Sequence, residues 1–265
     1  NLLPARHPPM TKTPVIAFGQ QPSGFLPRRY LYAKIQTALR LQSQIGGRIV
    51  FFYHDSDHDP RETLTVLIDP KTGDEQRLNF SFANKIQKKY TPLYAKSVDP
   101  TWQKDVARQL PKYLEPAPLQ AFQSLQATTI ADFCLEMYRA LGLLEGLDIV
   151  RSGDPHFREA ACPVEDYFVD VPYEGEIVRA RRSPEGRLRL HKGGSAYIDL
   201  PDQSWQPRQI SPTRDTRLRW MQSVLHCTHY IAGAGEMNYL NPDEAPEIAF
   251  VPRDSIADPN IAYLP

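Results

Sequence analysis

The run His54-Asp55-Ser56-Asp57-His58-Asp59 crowds carboxylates and imidazoles into six positions. It follows directly on an apolar segment, residues 48–53, Arg-Ile-Val-Phe-Phe-Tyr. Such groups are costly to bury without partners. An apolar strand that empties into them is therefore either a solvated turn or a working site. In an open α/β sheet, ligands bind in the crevice beyond the carboxyl ends of the strands, and that points to a site. Asp57, His58 and Asp59 are the candidate catalytic residues. A carboxylate orients an amine or takes a proton, and an imidazole with an ordinary pKa of about 6.5 suits general acid–base work near neutrality.

Two other stretches carry compatible chemistry. Gly19, Gln20 and Gln21 close a short apolar run at residues 14–18 and offer amide groups to a polar substrate. Gly233-Ala234-Gly235-Glu236 follows the apolar run at 229–232. Its glycines let a ligand approach the backbone, where free N–H groups can bind an anion. No Gly-Lys-Ser phosphate loop occurs anywhere in the chain. Arg28 and Arg29 begin a helical segment, where cations oppose the helix dipole, so an anion is expected beside them; Lys34 lies about one turn past Tyr30. In His226-Cys227-Thr228-His229, an extended backbone puts Cys227 and His229 on one face, as a thiol–base pair, as metal ligands, or as plain core. Arg179, Arg181, Arg182, Arg187 and Arg189 are dense. They read as a basic lobe over a phosphate or, preferably, as a solvated face balanced by Glu174, Glu176 and Glu185.

These residues need a scaffold that gathers them. Strand 14–18, helix 29–43 with Leu31, Ile35, Ala38 and Leu39 on one stripe, and strand 48–53 form a βαβ unit. Its strands are parallel and adjacent, so their carboxyl ends open on one edge. A hairpin is expected from 63–68 and 77–80, helices over 102–114 and within 116–146, and a strand at 148–150. Antiparallel hairpins fill about 165–205. Ser211-Pro212 reads as the start of a helix reaching Leu225; strands follow at 229–232 and 248–251. Residues 1–13 read as irregular. The expected fold is α/β: a single domain over 1–265 with a Rossmann-like parallel sheet and an inserted antiparallel β-rich lobe at 165–205.

Composition narrows the partners. Lys+Arg 31 balances Asp+Glu 31 over 265 residues, so no overall field draws nucleic acid or an anionic membrane. Three scattered cysteines, without a C-x-x-C pair, fit a reducing, cytoplasmic compartment. The expected partner is a small polar substrate, with neither nucleic acid nor membrane.

In order and spacing, these motifs resemble the bacillithiol biosynthesis cysteine-adding enzyme family (BshC). Gly19-Gln20-Gln21 with Phe25, Tyr30 and Lys34 is similar to that family's first strand–loop–helix. Phe51, Asp57-His58-Asp59 and Glu62 are similar to its second strand and the DHD that follows. Ser211-Pro212 and Arg217 resemble a helix start; Gly233, Gly235, Glu236 and Tyr239 its glycine loop; Val251-Pro252-Arg253 and Ser255 the close of its core. The resemblance spans residues 14–256. Ser56 stands where the family has an acid, Pro27-Arg28 where it has Gly-Pro, and Ala232-Gly233-Ala234-Gly235 where it has Gly-Gly-Pro-Gly. The resemblance implies a nucleotidyltransferase-like core in a compact form without the family's C-terminal coiled coil. It also implies a ligase-like condensation of cysteine with a sugar-malate type acceptor through an activated intermediate. The expected cofactor is an ATP- or ADP-like nucleotide, without a metal. Gly19, Gln20, Gln21, Tyr30, Lys34, Arg217, Gly233, Gly235, Glu236 and Tyr239 are then the binding residues. Two other expectations stand beside it: a metal-dependent hydrolase using His54, Asp55, Asp57, His58 and Asp59, and a non-catalytic binding module of the same fold.

Overall fold

A computed structural model describes residues 13–265. The irregular reading of residues 1–13 lies, but for Thr13, outside the described residues. In chain order the elements are β1 (Val15–Gln20), α1 (Arg29–Ile45), β2 (Arg48–Tyr53), β3 (Thr65–Ile68), β4 (Glu75–Leu78), α2 (Lys85–Tyr90), α3 (Pro100–Gln109), α4 (Pro116–Ser124), α5 (Ile130–Ala140), β5 (Leu147–Arg151) and α6 (Pro155–Ala160). There follow β6 (Tyr167–Tyr173), β7 (Glu176–Arg182), β8 (Leu188–Gly193), β9 (Ala196–Asp199), β10 (Ile210–Pro212), α7 (Arg217–Leu225), β11 (His229–Ala232), α8 (Ala234–Met237) and β12 (Ala249–Pro252).

A five-stranded sheet in the order β12-β11-β1-β2-β5 is the centre of the molecule, and every pairing in it is parallel. The strands are short and apolar because both faces are covered, as parallel sheets require. Side-chain alternation divides them cleanly. Ile16, Phe18, Ile49 and Phe51 pack on one face against α1 and α5, and Ala17, Val50 and Phe52 on the other against α6 and α7. The α1–β2 connection is tight. Gly47 has φ +92, and a Cβ there would lie 2.1 Å from the Pro14 carbonyl oxygen, so only glycine fits. The architecture is mixed α/β and consistent with a Rossmann-like core. No helix among the described residues is long and apolar enough to cross a membrane.

A second five-stranded sheet, in the order β10-β6-β7-β8-β9, is antiparallel, and β3 and β4 form a separate hairpin. The second sheet has its own small core of Val169, Val171, Val178, Ala180, Leu188 and Leu190. It fastens to the parallel core through a buried ion pair. Arg158 of α6 donates by Nη1 to Asp170 Oδ2 of β6 at 2.7 Å and by Nε to the Ser152 carbonyl at 2.8 Å. Tyr94 donates its hydroxyl to the same Asp170 oxygen at 2.7 Å.

Three expected elements differ. The helical pattern over 116–146 is two helices. Thr129 interrupts it, accepting from the Asp132 N–H as N-cap of α5 while Ile130 N–H donates to the Lys96 carbonyl. Helix 102–114 stops at Gln109, because Leu110 precedes Pro111 and takes extended angles. Ser211-Pro212 does not begin a helix. It lies in β10, an edge strand paired with β6, where a proline's missing donor is tolerated, and α7 starts only at Arg217.

The Arg158–Asp170 pair sets a testable cost. Asp170→Ala leaves a buried guanidinium uncompensated and is expected to lower stability by about 3–5 kcal/mol, with the double variant Arg158→Met/Asp170→Leu losing less. Urea unfolding checks this; an Asp170→Ala midpoint equal to wild type would show that the pair does not hold the lobe.

Candidate functional site

β1, β2 and β11 run parallel, so Gly19-Gln20, His54 onward and Gly233 onward leave the sheet on one edge. Lys34 joins them from α1. Its ammonium, buried with the side chain 3% exposed, donates to the Gly19 carbonyl at 2.7 Å, to Gln20 Oε1 at 3.3 Å and to Glu236 Oε2 at 2.5 Å. Burial pushes its pKa down, and the Glu236 carboxylate opposes that. Glu236 accepts in addition from Tyr230 Oη at 3.0 Å and from the Gly233 N–H at 3.1 Å. The expected free donor at Gly233 is therefore taken by Glu236, while the space beside Gly235 is open. A chain of amides continues outward: Gln20 Nε2 donates to Gln21 Oε1 at 2.9 Å and to Tyr30 Oη at 3.4 Å, and Gln21 Nε2 donates to Asp57 Oδ2 at 3.3 Å. Burial raises the Tyr30 phenol to about 12, so it stays protonated.

Two adjoining cavities open at this edge, sharing Gln21, His54, Arg217 and Tyr239. One, about 600 Å³, is bounded by Gly19, Gln20, Tyr30, Lys34, Gly233, Gly235 and Glu236. The other, about 480 Å³, lies between the sheet edge and the antiparallel lobe, with Asp57 on one side and Phe168, Arg179 and Arg181 on the other.

The DHD triplet does not enter the cleft as a unit. Asp57 lines the lobe-side cavity, but His58 and Asp59 line neither. Asp57 organises its own turn: Oδ1 accepts from the His58 N–H at 2.6 Å and the Asp59 N–H at 3.1 Å. Burial would raise its pKa, yet Arg179, His58, the Asp59 amide and Gln21 together hold it below the usual carboxylate range. Asp59 holds Arg61 through both carboxylate oxygens. His58 packs towards Phe168, and burial, then Arg179, bring its pKa down to about 4.

His54 borders both cavities. It shares the Phe52 face of β2, its ring 4.7 Å from and perpendicular to Phe52. The residue is 4% exposed and its Nδ1 is buried without a hydrogen-bond partner. A Cβ on Gly19 would lie 2.5 Å from His54 Nε2 and 2.7 Å from Tyr230 Oη, so the bare backbone of Gly19 makes room for this imidazole. Burial, followed by the positive charges of Arg217, Lys34 and Arg179, holds its pKa well below that of an ordinary histidine.

Of the described residues, four arginines line the lobe-side cavity; Arg181 and Arg214 are paired with Asp166 and Asp215, which leaves Arg179 and Arg217. Arg179 lies 4.0 Å over the Phe168 ring and donates to Ser211 Oγ at 3.2 Å and the Pro212 carbonyl at 3.1 Å. Arg217 stands in the first turn of α7 and donates to Tyr239 Oη at 3.5 Å. Among the described residues neither guanidinium forms a salt bridge, although Asp57 is near enough to act on Arg179. Arg179 had been set with the solvated face; the i, i+2 alternation of β7 instead turns it and Arg181 towards the cleft, opposite Val178 and Ala180. Arg28 and Arg29 part company, and only Arg28 lines the sheet-side cavity. Arg28 donates to the Arg61 and Glu62 carbonyls at 3.0 and 3.4 Å, and Arg29 faces Asp258 at 3.8 Å.

Among the described residues no three His, Cys, Asp or Glu side chains are grouped to hold a metal. Asp55 is turned inward, bonded to Arg151 Nε at 2.5 Å and the Gly153 N–H at 2.7 Å. Cys227 Sγ contacts Gln222 Oε1 at 3.0 Å, and burial pushes its thiol up to about 12. His229 Nδ1 meets Thr228 Oγ1 at 2.9 Å instead of the thiol.

The neutral imidazoles predict a pH dependence. Unfolded histidine titrates at about 6.5, and the folded values are lower. The unfolded chain then binds more protons, so stability is complete above that pH and falls as pH drops through the window, down to about 4 for His58. The loss is at most about 1.4 kcal/mol per pH unit for each histidine. Urea unfolding between neutral and mildly acid pH is expected to give a shallower slope for His54→Gln and for His58→Asn; a slope unchanged in both contradicts buried neutral imidazoles.

Neither a family model nor a curated protein matches this chain.

Proposed function

We propose that this chain is an enzyme of ligase or transferase type that holds a small, negatively charged acceptor in the cleft and joins a cysteine-like amino acid to it. The observation that carries this reading is the pair Arg179 and Arg217, brought from two elements to one cavity and left without a salt bridge among the described residues. A guanidinium recognises a carboxylate or phosphate through paired N–H donors, and an acidic guest supplies the charge that these two lack. Arg217 gives the stronger support, because a cation in the first turn of a helix opposes the dipole there.

The other compartment suits the polar or amine end of the reactants. Gln20 and Gln21 offer amide groups, and Gly235 leaves room for close approach. The ionised Asp57 carboxylate, on the lobe side, suits an ammonium. Amide formation needs an activated carboxyl group, which is the part a nucleotide of ATP or ADP type takes in this reading, as the resemblance to the cysteine-adding enzymes implies. The compartment is taken as cytoplasmic, supported by Cys134, Cys162 and Cys227 all being free thiols.

A second reading, a binding module without chemistry, draws support from His58 and Asp59, which line neither cavity. Calorimetry with malate, citrate and ATP, followed by mass spectrometry of mixtures containing cysteine, an acidic acceptor and ATP, separates the two. The expected result is binding of at least one anion, weakened about tenfold or more in Arg217→Ala and in Arg179→Ala, together with a condensed product. Binding without product favours the module. Equal affinity in wild type and both variants, or no anion bound, overturns the shared premise.

A further inference from the structure

His54 has no part in the proposed roles so far, yet it borders both cavities and its Nδ1 is buried without a partner. Its surroundings can be named element by element. β1 presents the Gly19 backbone and α1 the Lys34 ammonium; β7 and α7 present Arg179 and Arg217; β11 presents the Tyr230 hydroxyl, committed to Glu236. Of the carboxylates lining the two cavities, Glu236 is paired with Lys34, Asp166 with Arg181 and Asp215 with Arg214, Asp57 accepts from Gln21 and its own turn, and Glu62 borders the sheet-side cavity. Protonating His54 would add another positive charge to a buried group already facing three cations. Coulomb energies are large in such places, so the imidazole stays neutral while the cleft holds no anion.

An anion between the two guanidiniums reverses this balance. It cancels charge that now repels a proton and brings a negative charge towards the imidazole. We infer that His54 is the proton-accepting residue of the cleft, and that an anion seated between Arg179 and Arg217 is what lets its imidazole take up a proton. The inference rests on the anion-binding reading given above. The proton comes from the attacking group of the second substrate, a primary ammonium or a thiol. That group is left as a neutral amine or a thiolate, and His54 becomes an imidazolium whose charge the bound anion balances. The binding order follows: the acidic acceptor must be in place before the base is competent. His58 cannot substitute, because it does not border either cavity.

The test uses the full chain and sulfate, an anion that does not titrate near neutrality. Histidine-labelled protein is followed by NMR across pH with and without saturating sulfate, and the His54 signal is assigned by its loss in His54→Gln. Sulfate is expected to raise the apparent pKa of His54 by about one unit or more, a tenfold gain in proton affinity. Calorimetry in buffers of differing ionisation enthalpy is expected to show proton uptake on sulfate binding in wild type and none in His54→Gln. Arg217→Ala retains the imidazole and guards against a misfolded His54 variant: its His54 should accept a proton more readily without sulfate and respond less to sulfate. Tight sulfate binding with an unmoved His54 signal overturns the inference and leaves the anion reading standing. Absence of sulfate binding removes both.

Discussion

The functional edge of this protein depends on one buried ammonium. Lys34 lies on the inner face of α1, where an unpaired charge would be prohibitively costly. It is tolerated because its donors end on the last two residues of β1 and on the carboxylate that caps the loop after β11. The first βα unit and a loop about 200 residues further along the chain are thereby fixed to one point. Glu236 cannot rotate away without abandoning Lys34, Tyr230 and the Gly233 amide together. Gln20, held by Lys34, passes the order outward through Gln21 to Asp57. The glycine loop and the acidic turn are in this way mechanically linked, although they share no sequence neighbourhood.

The antiparallel lobe supplies the opposite wall. Its small core packs against Tyr90 and Ile86 of α2, and the Arg158–Asp170 pair, with Tyr94 on the same oxygen, ties it to the parallel core. The lobe so held carries Arg179 to the sheet edge, where Phe168 and the β10 backbone hold its guanidinium without neutralising it. Arg217 approaches from the start of α7. The cleft thus combines strong structural ion pairs at its margins, Lys34–Glu236 and Arg158–Asp170, with two guanidiniums lacking such partners between them. Charges paired at the edges give rigidity, and those left over give affinity for a guest.

Much of the scaffold was legible in the sequence. The βαβ unit follows from the apolar runs at 14–18 and 48–53, the stripe on α1 and the short connections, and these are local signals. Lys34, Gln20 and Glu236 were marked as site residues, and they do converge. The sequence points to His58 because the triplet Asp57-His58-Asp59 stands out by composition, whereas it is His54, on the same face as Phe52, that borders the two cavities. Extending the period-two rule one residue beyond Tyr53 would have singled it out. Arg179 was legible in the same manner from Val178 and Ala180, but which wall it met was not, since that depends on the non-local packing of lobe on core. The Ser-Pro signal at 211–212 failed because it suits an edge strand as well as a helix start, and only pairing with β6 decides between them.

The most direct measurement is the position of a heavy anion in crystals of the protein. Selenate diffused in at low millimolar concentration scatters anomalously at the selenium edge and reports where negative charge is held. The anion-binding cleft predicts the strongest peak between Arg179 and Arg217, bordered by His54. Peaks found only on the exposed arginines of the lobe, with the cleft empty, would contradict it.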